Sequence, residues 1–104
     1  MDKPGLWMAR IIVVPREECV LLEVDKGVYV NVLTLATNER ECRSKIAAAM
    51  NDYHFEVVEV EDVLLFSEAS NVSAELTTIA DELEESQNLK HVRFTTLHEF
   101  PRIM

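Results

Sequence analysis

The stretch Val28–Ala36, with the sequence VYVNVLTLA, is the strongest strand signal in the chain and decides its fold. It is almost continuous in β-branched and aliphatic residues, as expected for a strand that is covered on at least one face and flanked on both sides by other strands. Asn31 lies in its middle. A buried amide needs hydrogen-bond partners, so Asn31 is either a satisfied structural amide or a residue on an open face. The stretch predicts a central strand.

Two shorter extended runs precede this strand. The first, Arg10–Val14, is rich in β-branched residues and is stopped by Pro15. The second covers Cys19–Val24, and Asp25–Gly27 then forms a turn, because glycine tolerates a positive φ. Together these segments predict an N-terminal β-hairpin that leads into the central strand.

A capped helix follows the central strand. Asn38 is a good N-cap residue, and Glu41 stands three positions later, as in a capping box. The helix is expected to run to about Met50. Its core face is predicted from helical spacing and consists of Cys42, Ile46, Ala49 and Met50.

The second half of the chain repeats the strand–helix–strand pattern. Phe55–Phe66 alternates acidic and apolar residues, which indicates a strand with one exposed face, and Glu59–Asp62 disturbs the alternation as either a tight turn or a bulge. A second helix is predicted over Val72–Gln87 and a last strand over His91–Phe100. The apolar stripe of the second helix is Val72, Leu76, Ile79, Ala80 and Leu83.

This order of elements predicts an α+β fold. Specifically, it matches a ferredoxin-like split β-α-β sandwich, an antiparallel sheet with two helices on one face, plus the N-terminal β-hairpin. The opposite face would then need cover from the hairpin, a second copy or a partner. The length predicts a single domain over residues 1–104, with residues 1–8 as a candidate flexible N-terminal extension and Met1 and Met8 as alternative starts.

Composition excludes several classes of protein. No apolar run approaches the ~18 residues of a membrane helix, and no uninterrupted signal-peptide core is visible, so a cytoplasmic location is expected. Cys19 and Cys42 are 23 positions apart and form no zinc spacing with histidine, so no metal site is predicted. Two reduced thiols are the expected state, with a disulfide or a reactive thiol as the alternatives.

No sequence motif indicates catalysis. The chain lacks G-x-S-x-G, P-loop and G-x-G-x-x-G motifs, and its two glycines cannot build a phosphate cradle. Cys42 lies on a predicted core face, where a thiol is usually inert. We therefore predict no enzyme activity, no catalytic residue and no cofactor.

The charge distribution is the strongest functional signal. The net charge is −9, and the segment from Ile46 to Leu89 holds no Lys or Arg but eleven acidic residues. Such a segment repels nucleic acid and anionic membranes and attracts basic proteins, although it can also serve solubility alone. The predicted partner-binding residues are Glu56, Glu59, Glu61, Asp62, Asp81, Glu82, Glu84 and Glu85.

Residues 7–66 resemble a family of small acidic bacterial α/β immunity proteins that accompany polymorphic or contact-dependent toxins. The resemblance lies in Trp7, the IIVVP run at 11–15, Gly27–Val32 and Phe55–Val63. It rests on size, acidity and strand order, and no functional residue can be carried over from it. It implies a protein that blocks a nuclease toxin with an acidic surface.

Two functional hypotheses follow. The first is a non-catalytic immunity protein that neutralises a basic, nuclease-type toxin by occluding it with the acidic surface. The alternative is a regulatory or structural module that self-associates as a homodimer through the open sheet face and binds a small ligand between subunits. A toxin gene directly upstream would favour the first hypothesis, and a strict monomer at high concentration would count against the second.

Overall fold

The strand predicted at Val28–Ala36 lies in the interior of an antiparallel sheet. The computed structural model describes residues 4–17, 26–70, 72–88, 90–95 and 98–101. The elements are β1 (Gly5–Pro15), β2 (Lys26–Ala36), α1 (Glu39–Asp52), β3 (Phe55–Leu65), a short 3₁₀ turn (Phe66–Glu68), α2 (Ala74–Ser86), β4 (Val92–Phe94) and β5 (His98–Pro101).

The sheet is four strands wide, in the order β3-β1-β2-β4, and every pairing is antiparallel. Strand β5 pairs with Lys26–Tyr29 of β2, while β4 pairs with Val32–Thr34 of the same strand. The last predicted strand is therefore two short strands. The α+β class predicted from the sequence is confirmed.

Strand β1 lies inside the sheet between β3 and β2, whereas the sequence predicted it as one arm of an N-terminal hairpin. It pairs with β2 from Gly5↔Ala36 to Val13↔Val28 and with β3 on its other side. Its first residues, Gly5–Met8, belong to the sheet rather than to an N-terminal extension. The predicted run Cys19–Val24 lies outside the described residues, so the second arm of the hairpin is not confirmed.

The two helices cover opposite faces of the sheet. Val28, Val30 and Val32 pack in one core with Ile46 of α1, whereas Leu33 and Leu35 pack in a second core with α2. Because successive strand residues point to opposite faces, these two cores lie on the two sides of β2. The prediction of both helices on one face is wrong.

Helix α1 has the predicted N-cap and core face, but not the predicted capping box. The Asn38 side chain accepts a hydrogen bond from the Glu41 N–H at 2.8 Å, which satisfies one of the free donors of the first turn. The Glu41 carboxylate accepts from the Thr37 hydroxyl at 2.7 Å, so it does not close the capping box. Cys42, Ile46 and Met50 are buried as predicted.

Helix α2 begins at Ala74, two residues after the predicted start at Val72, and buries the rest of its predicted stripe. The Ser73 hydroxyl accepts from the Leu76 N–H at 3.2 Å and caps the helix. Gln87 ends it in the left-handed conformation, with its N–H donating to the Leu83 carbonyl. Leu76, Ile79, Ala80 and Leu83 are buried. In the part of the chain that the structure describes, no helix has the length and apolar character required to cross a membrane.

The single tryptophan joins the two central strands. The Trp7 indole packs against the core under α1, and its N–H donates to the Ala36 carbonyl at 3.1 Å. Gly5 and Ala36 are paired at the same end of the β1–β2 ladder. Trp7 thus fixes the end of the sheet at which β1 begins and β2 ends.

Candidate functional site

The acidic residues predicted to bind a partner fall into two groups on different elements. Glu56, Glu59, Glu61 and Asp62 are exposed on β3, which is an end strand of the sheet among the described residues. The other group lies on α2. We call the four β3 residues the β3 acids, and we call Asp81, Glu82, Glu84 and Glu85 the α2 acids.

The disturbed alternation in β3 is due to two bulges in one strand. Ala9 faces Val63 and Ile11 faces Val60, so β3 gains one residue opposite Arg10. A second shift follows between Ile12 and Val13, where β3 again has one residue more than β1. The bulge alternative is therefore correct and the tight turn is wrong.

Glu61 already has a basic partner within the chain. At the first bulge its carboxylate lies 3.5 Å from the Arg10 guanidinium, and that guanidinium stacks 4.7 Å from the centre of the Tyr29 ring. The pair is exposed, so its effect on stability is small. Because Glu61 is paired with Arg10, its negative charge is not free to bind a partner.

The α2 acids are exposed at the C-terminal half of the helix. Glu82 pairs with Arg93 of β4 at 2.7 Å. Asp81, Glu84 and Glu85 form no ion pair with the described residues, and the last turn of α2 contains no basic residue. These three carboxylates therefore add unpaired negative charge to the negative end of the helix.

The eight predicted residues are divided between an end strand of the sheet and a helix. The β3 acids follow one edge of the sheet, whereas the Glu82–Arg93 pair lies beside β4 at the other edge. Two strands separate these edges, which corresponds to about 14 Å at the usual interstrand spacing. Proximity in the sequence therefore does not place the eight residues side by side on one element.

A cavity that the sequence did not indicate lies beside the edge of β3. Its volume is about 750 Å³, and it extends from the bulge at Glu61 and Asp62 to the start of α2. Its apolar lining comes from both halves of the chain and includes Met8, Val63, Leu64, Val72 and Leu76. Only the folded sheet brings these residues together, so no local sequence pattern could have shown the cavity.

The described residues offer no centre for metal or thiol chemistry. Over these residues no three His, Cys, Asp or Glu side chains converge in a way that could hold a metal ion. Cys42 is a free thiol, fully buried under α1, and burial raises its pKa to about 11. A thiol with this pKa is protonated and unreactive near neutral pH. Cys19 lies outside the described residues.

The raised pKa of Cys42 predicts a loss of stability in alkaline solution. Below pH 9 the thiol is neutral in both the folded and the unfolded chain. Between pH 9 and about 11 the unfolded chain ionises while the buried thiol does not, so the free energy of unfolding falls. Urea titrations in a Cys19→Ser background should show a steeper fall with Cys42 than with Cys42→Ala, and parallel pH profiles would contradict this.

Comparisons with models of protein families, with curated proteins and with solved structures find no match for this chain.

Proposed function

We propose that this protein is a non-catalytic binding domain that neutralises a basic protein, in the way that an immunity protein covers a nuclease toxin. The observation that carries the proposal is the outer surface of α2, where Asp81, Glu84 and Glu85 are exposed and form no ion pair with the described part of the chain. A basic partner would provide the positive charge that these carboxylates lack.

The arrangement of the α2 acids costs the free protein some stability. Asp81 and Glu85 are four positions apart and Asp81 and Glu84 are three apart, so like charges are neighbours on the helix surface. Each such pair destabilises a helix by roughly 0.2–0.5 kcal/mol, and acids at the C-terminal end also oppose the helix dipole. A bound basic surface would remove both penalties, which supports a role in binding.

The β3 acids support the proposal less strongly. They lie on a strand at the edge of the sheet, where charges and bulges keep strands of other molecules from pairing. Glu61 is also engaged by Arg10. Because the β3 acids have this alternative explanation and the α2 acids do not, we assign the main contact to α2.

The expected mechanism is electrostatic steering followed by occlusion. Complementary charge accelerates encounter with a basic partner, and the bound domain then blocks the partner's own site. Such an inhibitor needs no catalytic residue and no cofactor. The same negative charge disfavours nucleic acid and anionic membranes as direct ligands, and the proposal places the protein in the cytoplasm with its partner.

The experiment uses the protein as bait in a lysate of its native organism, with washes at low and high salt. Captured proteins are identified by mass spectrometry, and the purified candidate is tested for direct binding and for inhibition of its own activity. We expect one basic protein, bound directly and released as the salt concentration rises. Capture of the chain alone would contradict the proposal and favour the self-associating module.

Charge reversal at α2 then tests the site. The Asp81→Lys/Glu85→Lys variant should associate with the partner about tenfold more slowly at low salt, because steering falls with the local field. Glu82 is left unchanged because its reversal would place a lysine beside Arg93. The matched control, Glu56→Lys/Glu59→Lys, makes the same charge change on β3. Equal slowing in both variants would contradict a site on α2.

A further inference from the structure

We propose that the outer edge of β3 at Val63–Leu65, together with the cavity beside it, binds an extended basic segment of a partner protein by strand addition. This surface is distinct from the α2 acids, and its test does not depend on the function proposed above. The proposal rests on a strand edge that is unpaired among the described residues, a cavity next to it with both apolar and charged lining residues, and the charge of the cavity rim.

The edge is open and regular at this position. In the described sheet β3 pairs with β1 alone, which leaves the backbone groups on its other side available. Beyond the bulge at Glu61 and Asp62, toward its C-terminus, β3 continues in an uninterrupted register, Ala9↔Val63, Met8↔Leu64 and Trp7↔Leu65. A regular edge accepts a further strand through main-chain hydrogen bonds. The bulged stretch before Val63 does not.

The cavity provides a place for side chains of the added strand. Its volume of about 750 Å³ is in the range of small-molecule pockets, so it has room for several side chains. Met8, Leu64, Val72 and Leu76 line it. Alternate residues of an added strand point to the same face of the sheet, so an apolar residue at every second position can enter the cavity.

The rim of the cavity determines the charge of the ligand. Four acids and two arginines line it. Glu61 pairs with Arg10, and Glu39 pairs with Arg43 at 3.0 Å. The two remaining acids, Asp62 and Glu68, are exposed and have no basic partner among the described residues.

This excess of two negative charges selects against a second copy of the chain. Two β3 edges paired with each other would join two rims that each carry the unpaired charges of Asp62 and Glu68, so a second copy adds negative charge where positive charge is missing. In a segment that alternates basic and apolar residues, the basic residues can pair with the acids of the rim and the apolar residues can enter the cavity. We therefore commit to a basic segment from a different protein.

The test uses short synthetic peptides with blocked ends and the full chain labelled with ¹⁵N. The first peptide alternates lysine and valine, the second alternates glutamate and valine, and the third is the lysine–valine peptide with one central valine replaced by proline. We expect the first peptide alone to shift the amide resonances of Val63–Leu65. The third should fail because proline lacks the N–H that an added strand must donate.

Two variants establish the site. The Asp62→Lys/Glu68→Lys protein should bind the lysine–valine peptide about tenfold more weakly, since both unpaired rim charges are reversed. The Glu56→Lys/Glu59→Lys protein carries the same charge change nearer the start of β3, outside the cavity lining, and should bind as the unmodified chain does. Circular dichroism of both variants checks that they are folded.

Several results would overturn the proposal. Equal binding of the lysine–valine and proline peptides would show charge attraction without strand addition. Shifts confined to α2 would place the peptide on the other acidic group. Protection of the Val63–Leu65 amides that grows with protein concentration in the absence of peptide would identify a second copy as the occupant.

Discussion

Replacement of Phe55 by alanine is expected to lower the free energy of unfolding by about 3–5 kcal/mol, the usual range for a buried aromatic residue. Phe55 is only 2% exposed at the start of β3, in the core that α1 covers. Its removal leaves a cavity at the end of α1, where the neighbouring helix and sheet cannot collapse freely. Urea unfolding followed by circular dichroism measures the loss.

The control for Phe55 lies three residues further along the same strand. Val58 is 61% exposed at the second bulge, so Val58→Ala should change the free energy of unfolding by less than about 0.5 kcal/mol. A similar loss in the two variants would mean that β3 does not pack against α1 as the structure describes.

The Leu83→Ala variant is expected to lose about 2–5 kcal/mol, through the second core. Leu83 is 1% exposed and packs with Leu33 and Leu35 on the face opposite α1. Alanine is the best helix former, so the loss reports packing and not helix propensity. The adjacent Glu84→Ala is the control and should leave stability almost unchanged, since Glu84 is exposed. A loss below about 1 kcal/mol at Leu83 would argue against α2 docking on the sheet.

The position of the two helices on opposite faces of the sheet can be tested by the additivity of two substitutions in the free energy of unfolding. Ile46→Val and Ile79→Val remove one methylene from each core, and their effects should add within about 0.3–0.5 kcal/mol because the two residues lie in separate cores on opposite faces of the sheet. Helices packed side by side on one face would share a core, and the two substitutions would then be coupled.

The sequence of β2 contained a signal for this arrangement that the predicted fold did not use. From Val28 to Val32 the strand alternates, with Tyr29 and Asn31 between the valines, which indicates one open face. From Val32 to Ala36 every residue is buried. That change from alternation to a continuous run marks the point at which α2 covers the second face. Asn31 accordingly lies half-buried, before the covered part begins.

The bulges in β3 explain why its pattern could not be assigned from sequence. Val57, Val60 and Val63 all pack against the α1 core, although they are three residues apart. In a regular strand a spacing of three places residues on opposite faces. Each bulge adds one residue and restores the common face. The sequence shows the disturbance, but only the pairing partner in β1 decides between a turn and a bulge.

The central position of β1 was not predictable from local pattern. Gly5–Met8 contains no strong strand signal beyond Trp7, and its regular structure depends on pairing with residues about 30 positions away. The same is true of the candidate site. The eleven acids between Ile46 and Leu89 are visible in the sequence, but the position of the β3 acids on an end strand follows from a sheet order that no short stretch encodes.

The hydrogen bond from the Trp7 indole to Ala36 gives the protein an intrinsic optical probe. Trp7 is the only tryptophan of the chain, and it sits where the first and second strands meet. Its emission therefore reports the closure of the sheet centre, while far-ultraviolet ellipticity reports mainly the two helices. A refolding experiment that records both signals distinguishes pairing of β1 with β2 from formation of the two helices. It needs no added label.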